Sequence, residues 1–496
     1  MKKLFTLILS LVFVVSLVGC SSTPKKEYDV YIYSNKAETA ETFPALVDAW
    51  KADYKARTGE DITVKVVAGA DEGGQLLAAD LNSENQPAVY TTRFSELQSG
   101  IDAGQLVDLT TTTGDFKTLL VDKINPAHLL SIDGVASYGI PENVEGYGFV
   151  VNKSVLAKVL GIADKEVAFE LIRTASYAEF KALVEAITAA LGGTDGKVTI
   201  AGTEYAIAKA NFPAELNGVF AVMGYEKWTY GNHVFNVIYN LEQDTMANAT
   251  KQTTVAFAGA EAYYDLLTLK VNNMASIDGA GIKVGPDFAT AYTYDAGTAL
   301  MGQGKSLFLK QGNWAYGGIA TASTPEFLAD LAFLPVKIDL TKVDYSKARF
   351  ANADEAAFLN TSIPVFVPNY YALNAKVTDE ERALGMDFLV FLHTSDKGVD
   401  TQVNTFSFIP YYGTTSATGT AYPLTNSLGN SIVSYMGAGN VYGAPFDGTP
   451  SGWMFDNMAT HIQEEFMAVS PWGSYEDFVS KVIEPSTAEF EAARAK

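Results

Sequence analysis

The chain has 496 residues, 48% hydrophobic, 12% aromatic and 19% charged, with 57 Asp and Glu against 35 Lys and Arg and a formal net charge of −22. That composition can bury a large core and fill two or more domains. The acidic surface opposes binding to nucleic acid and anionic headgroups, and a lone cysteine, Cys20, excludes an internal disulfide.

The chain opens Met1-Lys2-Lys3, followed by a mostly apolar run from Leu4 to Ser16, then Leu17-Val18-Gly19-Cys20 and a polar stretch containing Pro24. A basic start, an apolar run below the ~20 residues of a membrane span and small residues at its end predict an export signal. Leu17 to Cys20 resembles the lipobox of bacterial lipoproteins. The resemblance implies removal of residues 1–19, a diacylglycerol on the Cys20 sulfur, and residues 20–27 as a flexible tether to the outer face of the membrane. An ordinary signal peptide with a chance cysteine is the alternative. No later apolar run reaches spanning length.

Asp29 to Tyr33 alternates as a strand should, and Phe43, Leu46, Val47, Trp50 and Tyr54 then mark one face of a helix ending at Gly59. Trp50 is assigned to the core. A strand at Ile62 to Val67, a helix at Gln75 to Leu81, a strand at Ala88 to Thr91 and a helix from Ser95 to Gly104 continue the pattern. Strand and helix in alternation predict a parallel sheet with helices on both faces. Further on we expect helices at Tyr177 to Leu191, Val255 to Asn272, Arg382 to His393 and Trp453 to Met467. A hairpin is expected at Lys197 to Ile207 around Ala201-Gly202, and glycine-rich turns at Gly279 to Gly285 and Gly312 to Gly318. Thr414 to Ser451 reads as a long irregular connection.

Several segments, taken in order, resemble the maltose-binding-protein type of extracellular solute-binding protein (family 1) that serves ABC importers. They are Gln86 to Tyr90 with Gly100 to Leu109, Ile140 to Lys153, Gly304 to Trp314, Ile363 to Asn374, and Met386 to Leu392 with His393 to Ser395. Ala88 departs from the aspartate usual after that proline. The resemblance implies an α/β, periplasmic-binding-protein-like fold of two doubly wound lobes joined by crossing strands. It places residues 28–143 plus 367–410 in one lobe and 144–366 plus 411–496 in the other, with a small solute held between them. It further implies a permease as partner, no cofactor, no metal, no catalysis and a monomer.

A sugar is the leading ligand class, because apolar C–H faces and a ring of hydroxyls call for flat aromatics with charged and amide groups between them. Trp314 and Trp453 match aromatic positions of that family, and Trp228 is a third candidate. The polar candidates are Ser34, Asn35 and Lys36 after the first strand, Glu72, Arg93 after the third strand, and Glu145 on the first crossing. Ser34, Asn35, Lys36 and Glu72 have a second reading as helix caps or solvent-facing groups. Peptide, polyamine or another small solute is an alternative cargo, and a surface-anchored glycoside hydrolase is a reading from another class. Ala299 to Ser306 differs from a phosphate-cradling loop only in its first residue, but the missing glycine and the export signal oppose a nucleotide site. His128, His233, His393 and His461 are too scattered to form a zinc motif.

Overall fold

The computed structural model describes residues 26–36, 39–69, 75–277, 288–467 and 473–495. The export signal, Cys20, Glu72 and the turn at Gly279 to Gly285 lie outside the described residues. Among the described residues the strands in chain order are β1 (Val30–Ser34), β2 (Val64–Ala68), β3 (Val89–Thr92), β4 (Ile140–Pro141), β5 (Glu145–Asn152), β6 (Gly196–Ile200) and β7 (Thr203–Ile207). They continue with β8 (Gly218–Ala221), β9 (Ser306–Gly312), β10 (Leu331–Leu334), β11 (Ile363–Phe366), β12 (Tyr370–Leu373) and β13 (Val441–Tyr442).

The first lobe is built on a sheet of order β2-β1-β3-β12-β4. Helix Phe43–Thr58 covers it with Phe43, Leu46, Val47 and Trp50, all buried at the expected spacing. The helix stops at Gly59, whose φ of 82° takes the left-handed cap that glycine adopts without strain. Trp50 is core, as assigned, and its Nε1 donates to Asp387 Oδ2 at 2.8 Å on helix Asp379–Thr394. Ala88 places its methyl in this core while its backbone bonds Tyr31 and Asn374 on either side.

The second lobe is built on β13-β11-β5-β9-β8, with β10 also on β5. Phe149, Phe180, Phe220 and Phe308 meet in its core with ring centroids 5.4 to 6.3 Å apart. The hairpin expected in this part of the chain forms as β6 and β7. Ala201 and Gly202 lie at φ of 49° and 77°, the paired left-handed residues a two-residue turn requires.

Three expectations are corrected. Parallel pairing holds for β1 with β2 and β3, but β12 and β4 enter antiparallel, and β5 pairs antiparallel with β9, β10 and β11. The cause is the chain's passage between lobes, which brings strands into each sheet from the opposite end. Thr414 to Ser451 is not merely irregular: helix Ser427–Gly437 buries Leu428, Ile432 and Tyr435 on one face, a pattern obscured by the serines and asparagine between them. Gly312 to Gly318 is not a turn but short helical segments, Asn313–Ala315 and Tyr316–Ala320. The phosphate-loop likeness at Ala299 to Ser306 runs from helix Tyr294–Gly302 into β9, the reverse of the strand-to-helix order such a loop needs.

The two lobes are joined where β4 runs into β5 and β11 into β12. Val144 bridges to Ile409 on a third passage. Glu142 ties the first two passages together: it is buried, and its carboxylate accepts from Tyr371 Oη at 3.0 Å and Asn369 Nδ2 at 3.2 Å. Its own N–H donates to Asn369 O at 3.1 Å. Glu142→Ala removes the acceptor from two buried donors and is expected to cost about 2 kcal/mol. A urea midpoint within error of the unsubstituted chain would show that the tie contributes nothing.

Candidate functional site

Between the lobes lies a cleft of about 580 Å³, within the range that holds small-molecule ligands. Its first side is formed at the carboxyl ends of β1 and β3, where open α/β sheets present ligand-binding residues. Asn35 and Lys36 follow β1, and Arg93 follows β3. The Asn35 N–H donates to Thr91 Oγ1 at 3.0 Å, and its side-chain Oδ1 is buried without a hydrogen-bond partner. Arg93 Nε donates to Asn369 Oδ1 at 3.0 Å, and its backbone N–H donates to Glu96 Oε2 at 3.1 Å.

Aromatic rings form the second side. Trp228 and Trp314 are half-buried, and His233 stands between them with its ring centroid 5.0 Å from Trp228 and 5.3 Å from Trp314. The indoles are 6.3 Å apart, and Phe366 meets Trp314 edge-on at 6.3 Å. Trp228 is fixed by donation from Nε1 to Glu226 Oε2 at 2.8 Å. Trp314 is placed by its neighbours in sequence. Its ring folds back over Gly312, where a Cβ would fall 2.1 Å from Cζ3, so only glycine fits beneath it. Asn313 Oδ1 meanwhile accepts from Gly146 N–H at 3.1 Å and pins the segment to β5.

At the junction of the two sides, Lys36 Nζ lies 3.0 Å from Glu145 Oε1, with side-chain exposures of 9% and 12%. This ion pair spans the lobes, and Asn143 Nδ2 also donates to Glu145 at 3.3 Å. Asp447 lines the same cleft; burial pushes its carboxyl up to about 7, with the Arg93 guanidinium pulling the other way.

Six of the residues picked from sequence therefore surround one cleft: Asn35, Lys36, Arg93, Glu145, Trp228 and Trp314. Two picks belong elsewhere. Trp453 is 2% exposed in the second lobe's core, where Nε1 donates to Ser486 O at 2.7 Å and Phe490 packs edge-on at 5.0 Å. Its helical start is a matter of packing, because the 453–458 segment turns its apolar side inward. Ser34 is fully buried because β1 runs one residue further than expected and includes it.

Sequence reasoning missed Asn232, His233, Phe366, Pro368, Asn369 and Asp447, which also line the cleft. Phe366 to Asn369 stand inside the second crossing segment and were within reach of that motif. His233 sits in a short, mostly apolar helix and Asp447 in the stretch read as irregular, so neither carried a signal.

No protein-family model and no curated protein sequence matches the chain. Solved structures match its fold along nearly its whole length. A family 1 extracellular solute-binding protein from Bifidobacterium longum subsp. infantis superposes with a TM-score of 0.58 at 13% identity, covering 94% of this chain and 98% of that one. RafE from Streptococcus pneumoniae gives 0.58 at 14% identity over 94% and 97%. The GacH receptor of Streptomyces glaucescens gives 0.54 at 15% identity over 94% and 96%. The fold is thus the two-lobed α/β fold of the family 1 extracellular solute-binding proteins.

Two substitutions test this geometry. Gly312→Ala is expected to expel the Trp314 ring from its seat, read as a shift in tryptophan emission; an unchanged spectrum would contradict the placement. Asp447 holds its proton more tightly folded than unfolded, so its contribution to stability falls as pH rises from about 4, the unfolded aspartate value, to about 7. Asp447→Asn should accordingly raise the melting temperature at pH 8 and have little effect at pH 4. An equal effect at both would contradict the assignment.

Proposed function

We propose that the chain is the solute-capturing component of an ABC importer and that its ligand is a sugar or oligosaccharide. The observation that carries this reading is the wall of two indoles and an imidazole facing amide and charged groups across a cleft between two lobes. Aromatic faces match the C–H faces of a pyranose, and Asn35 Oδ1 and Asn232 Oδ1, which lack partners, match ligand hydroxyl donors. On the cleft the charges of Lys36 and Glu145 are paired with each other, which suits a neutral ligand. Among the structural neighbours, RafE was solved in complex with raffinose and GacH in complex with acarbose.

In this reading Cys20 carries the lipid, residues 21–27 form the leash, and the lobes are residues 28–143 plus 367–410 and 144–366 plus 411–496. The lobes close on the solute and present it to a membrane permease. Closure replaces water around the ligand hydroxyls by fixed partners. No helix among the described residues is long and apolar enough to cross a membrane. A glycoside hydrolase needs two carboxyl groups flanking a bond, one of them free to attack or activate water. Here Glu145 is held by Lys36 and Asn143. A polyamine would call for unpaired carboxylates.

Thermal-shift screening of the mature chain against raffinose, maltose, xylose and chitin oligosaccharides, a tripeptide and spermidine tests the class. A concentration-dependent rise with a sugar is expected, and a rise with spermidine or peptide alone would overturn the sugar reading. With the sugar found, Trp314→Ala should weaken binding by at least about 1 kcal/mol by calorimetry. An unchanged Kd would remove Trp314 from the site.

A further inference from the structure

Beside the ligand space the two lobes also touch through apolar side chains. Helix Met246–Ala249 and the turn Pro445–Gly448 pack on each other in the second lobe, whose core takes Ala249 and Phe446. The mount is tight: a Cβ on Gly448 would fall 2.3 Å from Met246 O, and Arg494 Nη2 donates to the carbonyls of both Ala249 and Gly448. From this mount Met246 reaches the first lobe, where it packs against the cluster of Phe94, Leu97, Leu130, Val367 and Tyr370. The turn Pro445–Gly448 lies against Phe94–Glu96 as well. A cavity of about 60 Å³ runs beside the contact, lined by Met246 and Ala444 from one lobe and Tyr370 from the other.

We propose that Met246 is a positioning residue, whose seat on the first lobe sets the width of the cleft and through it the strength of ligand binding. This rests on the reading of the cleft as the ligand site. Each half of the contact is one residue away from a cleft side chain. Phe94 follows Arg93, and Phe446 precedes Asp447 and holds its ring 6.3 Å from His233 and 6.2 Å from Phe366. With Met246 seated, the polar strand ends and the aromatic wall keep the separation of this structure. With Met246 withdrawn, rotation of the second lobe carries the wall away from Arg93. Met246 itself does not line the cleft.

The contact is built to part. Methionine is unbranched, and its flexible thioether keeps packing while one surface slides over another. Met246 is only half-buried, whereas Phe94, Leu97 and Leu130 in the cluster that receives it are buried. The cavity alongside leaves the seam short of the density of a protein interior, so little dispersion energy is forfeited when it opens. The crossing strands and the Glu142 tie meanwhile keep the lobes joined. Met246 therefore biases an equilibrium between separations without locking it. A ligand that needs the narrower separation binds in proportion to the population of that state.

Small-angle X-ray scattering of the full mature chain, without ligand, reads the separation of the lobes. Met246→Ala is expected to raise the radius of gyration, and Met246→Leu, which keeps an apolar side chain in the seat, to leave it unchanged. Met246→Gln, which puts an amide there, gives the same reading should the alanine variant fail to fold. With the sugar found by screening, the alanine or glutamine variant should bind at least about three-fold more weakly, because the competent separation is less populated. Saturating sugar should then return its scattering to that of the liganded unsubstituted chain. An unchanged radius in both variants, or an unchanged affinity, would overturn the proposal. A smaller radius with tighter binding would overturn it too, since Met246 would then be a prop that holds the lobes apart. The ligand-free arm decides the matter if no sugar binds, a result that would sink the sugar reading alone.

Discussion

The arrangement depends on one buried carboxylate. Glu142 sits where the chain leaves the first sheet and accepts from Tyr371 and Asn369, which sit where it returns. Two passages between lobes, more than two hundred residues apart in sequence, are thus fixed to each other at the floor of the cleft. The Lys36–Glu145 pair lies on the same floor and joins β1 of one lobe to β5 of the other. Buried ion pairs add little net stability but fix geometry, and here they fix which strand ends face each other.

From that floor the two sides differ in kind because they are built differently. The first side uses polar residues that follow strands, where side chains emerge from the sheet edge. The second uses rings mounted on short helical segments and strand ends, with glycine making room: without a Cβ at position 312, the Trp314 indole lies flat against the backbone. One ligand would then meet a face that stacks and a face that hydrogen-bonds, as a molecule with apolar and hydroxylated surfaces requires.

Much of the fold was legible in the sequence because its elements are strongly periodic. Helices Gln75–Leu81 and Tyr177–Leu191 and the hairpin around Ala201-Gly202 follow directly from apolar spacing and turn chemistry. Strand direction was not legible, since an antiparallel neighbour contributed from two hundred residues away leaves no local mark. Trp314 could be placed by the Gly-Asn-Trp motif, whereas Trp453 could not be told from a cleft residue, since a buried indole and an exposed one share the same local pattern. His233 and Asp447 were invisible for a different reason: their meaning lies wholly in what folds against them, two indoles and a tyrosine for one, a guanidinium from the opposite lobe for the other.

The central claim is that a sugar sits between the aromatic wall and the polar strand ends. Its most direct test is a crystal structure of the mature chain grown with a sugar that stabilises it. The account predicts sugar density in contact with Trp228 or Trp314 on one side and with Asn35 or Arg93 on the other. Sugar density elsewhere on the surface, with the cleft between Asn35 and Trp314 holding only water, would contradict it.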